Sequence, residues 1–486
     1  MSARPLFPTR YRLLAALVAG GLVNGLVSGC AGPAGPDYHG PLPVIADRWS
    51  AQGWRAAHPA DTESRGPWWL LYHDKTLDAL EDGAQRDSPS LQGALARVRQ
   101  AEALVDVARG GGRPQIAASA SSSRSRTSAN RPLATPGGST SALLQNDFTA
   151  GISLRWETDL AGGVQRSVEA AQAAAGQALA DAQTVRLLIS ANIASNYFAV
   201  RAIDADVAQL EQLLALQQRG VALAQRRADL GLGTALDVAT QQALLDGTRV
   251  QLEDLRVQRG GQVAALAALT GQPAPDFRLE PLGLALEIPR PPLGVPSDLL
   301  ERRPDIGSAE RAVAQASAQI GVASAALYPD LTLGASAGSD SRTLQRLLQA
   351  PSLAWTVGAS VVASLYDGGR IAASIEAARA AHEASVAHYR DIVLTAMAEV
   401  EGALSAEQAL TQAAERQEAV LATTRQQLAL VSRRHQSGLG TAVDMLAAEQ
   451  SVRIAERGAV QLRGQRLTNS ITLVKALGGG WGATQR

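Results

Sequence analysis

The sequence predicts a mainly α-helical chain, duplicated internally, whose two halves each contribute a pair of strands to a transmembrane β-barrel. Three observations lead there. A short motif occurs twice, as RRADLGLGTALDV from Arg226 to Val238 and RRHQSGLGTAVDM from Arg433 to Met445, its glycines 207 positions apart (231 to 438). Two long stretches, from about Gln165 to Asp229 and from about Ile371 to Gln436, keep a helical pattern without a proline. Four shorter segments alternate apolar and polar residues with the period of a strand.

A chain of 486 residues exceeds one ordinary core, and the repeated motif points to duplication rather than to unrelated domains. Charge is balanced at 45 basic and 45 acidic residues. Removing residues 1–29 takes away Arg4, Arg10 and Arg12, which leaves 42 against 45, a net of −3. No basic excess remains to attract nucleic acid. Aromatic residues make up 4%, and the plentiful alanine favours long helices in close approach.

The N-terminus reads as an export signal over residues 1–29: arginines, the apolar run Leu13 to Val27, then Ser28 and Gly29. That run is short for a membrane span. Cys30, the sole cysteine, follows in LVSGC, which resembles the bacterial lipoprotein box and marks Cys30 as the lipidation site. Ala31 behind it is compatible with sorting to the outer membrane. One cysteine allows no internal disulfide, although the compartment is oxidising.

Residues 30–67, rich in Pro and Gly, suit an extended lipid-anchored arm. A first repeat covers 68–272 and opens on PWWLLYHDKTLDAL, with a helical pattern to about Arg109 that Gly110, Gly111, Gly112 and Pro114 break. QIAASASSS (Gln115 to Ser123) alternates weakly. In DFTAGISLRWE, Phe148, Ala150, Ile152, Leu154 and Trp156 share one face. The long helix carries Val200, Ile203, Val207, Leu210 and Leu214 at coiled-coil spacing and would extend roughly 95 Å. After Gly231, Leu232 and Gly233 a second helix runs from Thr234 to about Thr270.

A linker with seven prolines spans 273–296, and the order then recurs over 297–478, with 479–486 as a tail. Helix Ser297 to Ala326 matches the first helix, and YPDLTLGASAG puts Pro329 in the place of Pro114. In LAWTVGASVVASLY, Leu353, Trp355, Val357, Ala359, Val361, Ala363 and Leu365 share a face. The second long helix places Val386, Tyr389, Val393, Ala396 and Val400 at three and four spacing. It ends at Gly438, Leu439 and Gly440, and a return helix runs to Leu477.

Strands of about ten residues can cross an outer membrane at a tilt. The expected lipid-facing residues are Phe148, Ile152, Leu154, Trp156, Trp355, Val357 and Val361. Four strands cannot close, and in lipid an open sheet exposes two bare edges. Two chains give about eight strands, whose interior side chains fill, whereas three give about twelve and leave a lumen. A homotrimer is therefore the most economical aqueous channel. At each repeated turn the glycines supply the positive φ that ends one helix, and Thr234-x-x-Asp237 and Thr441-x-x-Asp444 start the next as capping boxes. Leu232 and Leu439, apolar on a hairpin tip, suggest a docking surface.

Through PWWLLYHDKTLDAL, ERRPDIGSAE, YPDLTLGAS, YDGGRIAASIEAA and the two Gly-Leu-Gly-Thr tips, the chain resembles the outer-membrane efflux proteins of tripartite systems, the TolC-like channels, in their lipoprotein branch. The resemblance implies a homotrimer with a twelve-stranded barrel and long antiparallel helical hairpins that form a periplasmic α-barrel. It implies a passive conduit for small molecules, with a periplasmic adaptor (membrane fusion protein) and, through it, an inner-membrane RND pump. It further implies that Gly231, Leu232, Gly233, Thr234, Gly438, Leu439, Gly440 and Thr441 face the adaptor. Asp237 and Asp444 match the family's tip aspartates. By their placement alone, Arg226, Arg227, Arg433 and Arg434 sit one turn before the tips and could pair with those carboxylates between neighbouring helices, with Arg227 and Arg434 assigned to the gate, or could equally be a solvated helix end favouring cations. Some members carry a further aspartate where this chain has Ala447.

No catalytic constellation, cofactor loop or metal-ligand spacing emerges. The six histidines are scattered, and GLGTAL follows no strand and lacks the third glycine of a dinucleotide loop. Energy must come from a partner. Two rival readings remain at this level: a channel of the same build serving type I protein secretion, and a lipid-anchored periplasmic scaffold without a pore.

Overall fold

A computed structural model describes residues 33–41, 66–128, 144–284, 288–289 and 302–479. The elements in chain order are α1 (Lys75–Asp87), α2 (Pro89–Gly111), β1 (Gln115–Arg126), β2 (Leu144–Thr158), α3 (Gly163–Asp229), α4 (Ala235–Leu269), α5 (Pro304–Ala325), β3 (Asp330–Ser341), β4 (Leu353–Val362), α6 (Arg370–Gln436) and α7 (Ala442–Ala476). Helices α3 and α6 have 67 residues each, α4 and α7 have 35 each. From α2 onward the halves match element for element, and α1 has no counterpart among the described residues of the second half.

Contacts divide the chain into two units, one of Met1–Gly40, Ala101–Ala175 and Ala312–Ser385, the other of Pro41–Gln100, Gly176–Arg311 and Val386–Arg486. The first holds an antiparallel sheet in the order β1-β2-β3-β4. Its central pairing joins the two halves, with Ser153 opposite Ser336 and Gly151 opposite Gly338. The register puts Ile116, Ile152, Leu154, Trp156, Leu333, Ala335, Trp355, Val357 and Val361 on one face, and serine, threonine and glycine on the other. A Cβ on Gly338 would lie 2.5 Å from the Ala150 carbonyl oxygen, so only glycine permits this close approach of β2 and β3.

In the same unit Arg166 fastens the short segment at residues 33–41. Its Nε donates to the Ala34 carbonyl at 3.1 Å, Nη2 to Asp37 at 2.8 Å and Nη1 to Glu169 at 2.7 Å. The Ala34 amide in turn donates to the Ala161 carbonyl at 2.8 Å.

The second unit has the larger core, and PWWLLYHDKTLDAL builds its aromatic end. Tyr72, Tyr197 and Phe198 are fully buried, with the Tyr72 and Phe198 rings 4.8 Å apart. Each buried phenol has a partner: Tyr72 meets Ser470 at 2.7 Å, and Tyr197 donates to Asp74 at 2.6 Å. Asp74 also caps α1 through the amides of Thr76 and Leu77. In α6 the expected seam is buried at Tyr389, Val393, Ala396 and Val400, the last two in one cluster with Leu473 of α7 and Leu477, which caps it. ERRPD serves packing as well: Arg303 donates to Glu399 at 2.6 Å and to the Ala476 carbonyl at 3.0 Å, and is forked by Asp305.

Four boundaries differ from the sequence reading. The second-half helix expected from Ser297 begins at Pro304, residues 302 and 303 before it being non-helical, because proline disfavours the helical conformation in the residue that precedes it. The first helical pattern is two helices, because Pro89 lacks an amide hydrogen and holds Ser88 extended at φ −62°, ψ 118°. Strand β1 continues past Ser123 to Arg126, where pairing with Asn146 and Leu144 sustains it without apolar alternation. Strand β4 stops at Val362, so Ala363 and Leu365 lie beyond it, Leu365 fully exposed.

Candidate functional site

The two repeated turns fold identically. Gly231 at φ 71° and Gly438 at φ 75° occupy the left-handed region that closes a helix. Behind each, the leucine amide reaches back five residues, Leu232 to the Arg227 carbonyl at 2.8 Å and Leu439 to the Arg434 carbonyl at 2.9 Å. The glycine amides bond to Ala228 and His435, which completes a Schellman closure. Thr234 and Thr441 then open α4 and α7 as full capping boxes. Asp237 accepts from the Thr234 amide at 2.8 Å and hydroxyl at 2.9 Å; Asp444 accepts from the Thr441 amide at 3.0 Å and hydroxyl at 2.7 Å.

These bonds hold both carboxyls below the ordinary aspartate range. For Asp237 the Thr234 amide contributes most, and for Asp444 the Thr441 hydroxyl, with Arg227 and Arg434 adding a smaller favourable field. Among the described residues neither tip carboxylate forms an ion pair with Arg226, Arg227, Arg433 or Arg434. Arg227 donates instead to the Leu232 carbonyl at 3.2 Å, because the turn presents that oxygen nearer than either carboxylate. Among the exposed side chains of the tips are large apolar ones, Leu230, Leu232 and Leu236 on one and Leu439 and Val443 on the other.

Beside the first tip a groove of about 240 Å³ runs between α3, α4 and α7. Gln217, Gly220, Arg227, Asp237, Val443 and Ala447 line it. Ala447 thus presents a methyl group to the groove at the position where some family members carry an aspartate. Gln217 is 6% exposed, and its side-chain oxygen has no hydrogen-bond partner.

The ties between the two hairpins escaped sequence reasoning. Arg219 on α3 pairs with Glu449 on α7, Arg453 donates to Gln212 at 2.6 Å, and Arg457 bridges Asp206 at 2.6 Å and Gln251 at 2.8 Å. Their partners lie 206 to 251 positions apart in sequence, so no spacing rule reveals them. Each charged or amide head is separately ordinary; the packing of α7 against α3 and α4 makes the ladder.

On the sheet, the expected lipid-facing side chains do share one surface. Ile152, Trp355, Val357 and Val361 are exposed, with Trp355 and Val357 both 71% exposed, while Phe148 and Leu154 are half-buried. Trp156 donates its indole hydrogen to the Gly112 carbonyl at 3.0 Å. Cys30 lies outside the described residues.

The family model for outer membrane efflux proteins matches residues 81–272 and 295–479, one segment for each half. The chain belongs to the outer membrane efflux protein family. It is 32% identical over 434 residues to the pyoverdine export outer membrane protein OpmQ of Pseudomonas putida, covering 89% of this chain and 92% of that one. Among solved structures it is similar to the outer-membrane channel OprN, with a TM-score of 0.81 and 26% identity over 92% of this chain and 99% of that chain. It is also similar to the outer membrane protein VceC of Vibrio cholerae, with a TM-score of 0.76 and 27% identity over 87% and 100%. This efflux protein is therefore the outer-membrane channel component of a pump system in a Gram-negative bacterium.

Proposed function

We propose that the efflux protein works as a homotrimer whose three sheets close into one twelve-stranded barrel. A single observation supports this most: the sheet exposes an apolar face and ends in two strands, β1 and β4, that have no further partner among the described residues. In lipid every backbone amide and carbonyl needs a partner, and a neighbouring copy supplies it. The helical hairpins then line the periplasmic passage. Their tips, Gly231 to Thr234 and Gly438 to Thr441, dock a periplasmic adaptor through Leu232 and Leu439, and the adaptor joins the channel to an inner-membrane RND pump. Cys30, acylated, anchors the chain in the same membrane.

Gating follows from the same residues. Asp237 and Asp444 hold the tips in shape, Arg227 and Arg434 set the local field, and the Arg219, Arg453 and Arg457 ladder ties one hairpin to the other. Opening requires that ladder to break. The test is extraction in mild detergent followed by planar-bilayer recording: heat-modifiable trimers that pass ions support the conduit, and a monomer without current overturns it.

A further inference from the structure

The outward face of the sheet changes character toward the hairpin connections. Phe148 is level with Ser122 and Ser341; beyond it the outward positions on β1 are Arg124, opposite Asn146, and Arg126, opposite Leu144. Both arginines are exposed, and among the described residues neither forms an ion pair. The nearest strand carboxylates, Asp147 and Asp340, fall on the opposite face by the alternation of the register. Toward the hairpin connections the β1 cations are thus outward and these two acids inward, whereas Arg155, at the other end of the sheet, lies on the inward face.

Height supplies the second argument, and it rests on the barrel reading above. Trp156, with its indole anchored to Gly112, marks the inner edge of the apolar band beside the Gln115–Arg155 pair. Arg124 stands nine residues farther along β1 (115 to 124). At about 3.3 Å per residue and a tilt of about 40°, that is a rise of roughly 23 Å, close to the full apolar height of such barrels, about 25 Å. The guanidinium extends several ångströms beyond its own Cα. It therefore arrives where the hydrocarbon of the outer leaflet ends and headgroups begin.

We propose that Arg124 and Arg126 bind the phosphate groups of the outer-leaflet glycolipid, the lipopolysaccharide of a Gram-negative outer membrane. A planar guanidinium fork takes two phosphate oxygens at once, and two forks two residues apart, on one face of a strand, hold neighbouring phosphates. With three copies the barrel wears three such clamps.

The test uses the purified trimer in detergent, mixed with purified lipopolysaccharide or with its enzymatically dephosphorylated form, bound lipid being read by native mass spectrometry. Wild type should retain the phosphorylated lipid at least tenfold better than the dephosphorylated one. The double substitution Arg124→Ser, Arg126→Ser should lose that preference, and Arg124→Lys, Arg126→Lys should keep part of it. Equal retention of both lipids by wild type, or an undiminished preference in the serine variant, refutes the clamp. Bilayer current separates the two readings: a conducting serine variant with undiminished binding removes the clamp alone, whereas a wild type that never conducts removes the barrel and the clamp together.

Discussion

Glu81 carries the sharpest prediction. It lies in α1 on the stripe of Leu77 and Ala84 and is fully buried, with no cation paired to it among the described residues. Burial pushes its pKa up to about 9, the Ser190 hydroxyl offsets part of that, and Asp82 and Asp78 add to it. The carboxyl is therefore neutral in the folded protein, while in the unfolded chain it ionises near pH 4.5. Between those values the unfolded state binds fewer protons, so stability falls as pH rises, by roughly 1.4 kcal/mol per pH unit. From pH 5.5 to 7.5 the loss from this one group is roughly 3 kcal/mol, and the slope vanishes above about 9. Glu81→Gln removes the titration and keeps the shape. Guanidinium melts followed by the fluorescence of Trp68 and Trp69, which sit in the same core, should show the wild-type midpoint dropping across that range relative to the variant. Glu81→Leu should exceed wild type at pH 7.5. Parallel pH profiles for wild type and Glu81→Gln would refute the reasoning.

Four further outcomes follow. Asp444→Ala breaks a capping box and should cost about 1 kcal/mol at the start of α7, seen as faster amide exchange there, and should raise the conductance of the isolated channel. Because the Asp237 and Asp444 carboxyls are held below the usual range, their capping persists through ordinary acidic pH and is lost only as pH falls through the lowered values; backbone exchange at the tips measured down the pH scale checks this. Gly438→Ala forces a Cβ into the left-handed region at a cost of about 1–2 kcal/mol and should weaken adaptor binding in a pull-down. For the proposed trimer the duplication predicts the subunit seam: β1 maps on β3 by 215 (115 to 330) and β2 on β4 by 207 (155 to 362), so the counterpart of the Ser153–Ser336 pair is Ser360 against Ser121 of a neighbouring copy. Cysteines at Ser121 and Ser360 should cross-link the trimer under oxidation, and cysteines shifted by two residues should not.

The long helices were legible because nothing interrupts them; Gly231 and Gly438 announce their ends and Thr234 and Thr441 the new starts. Strands were legible where one face is apolar, as in β2 and β4, and fade where it is not, as in the SSSRSR end of β1, which only its partner strand defines. Glu81 reads as a solvent residue by type, and its burial depends on Ser190 and other residues brought in from far along the chain. The helix-to-helix ladder of Arg219, Arg453 and Arg457 was invisible for the same reason. Local rules state where a side chain sits on its own helix; they do not state which distant helix comes to meet it.

A chain of half this length, with one strand pair and one hairpin, would have to gather six copies around the same axis. In the proposed trimer, joining two halves through β2 and β3 turns three of those six seams into covalent neighbours, so fewer bodies must find one another in the membrane. It also frees the halves to drift apart in sequence. Ala228 and Leu230 before the first tip stand where His435 and Ser437 stand before the second. Any ring of partner molecules meeting this channel therefore faces two kinds of landing place in alternation, which sixfold sameness would never permit.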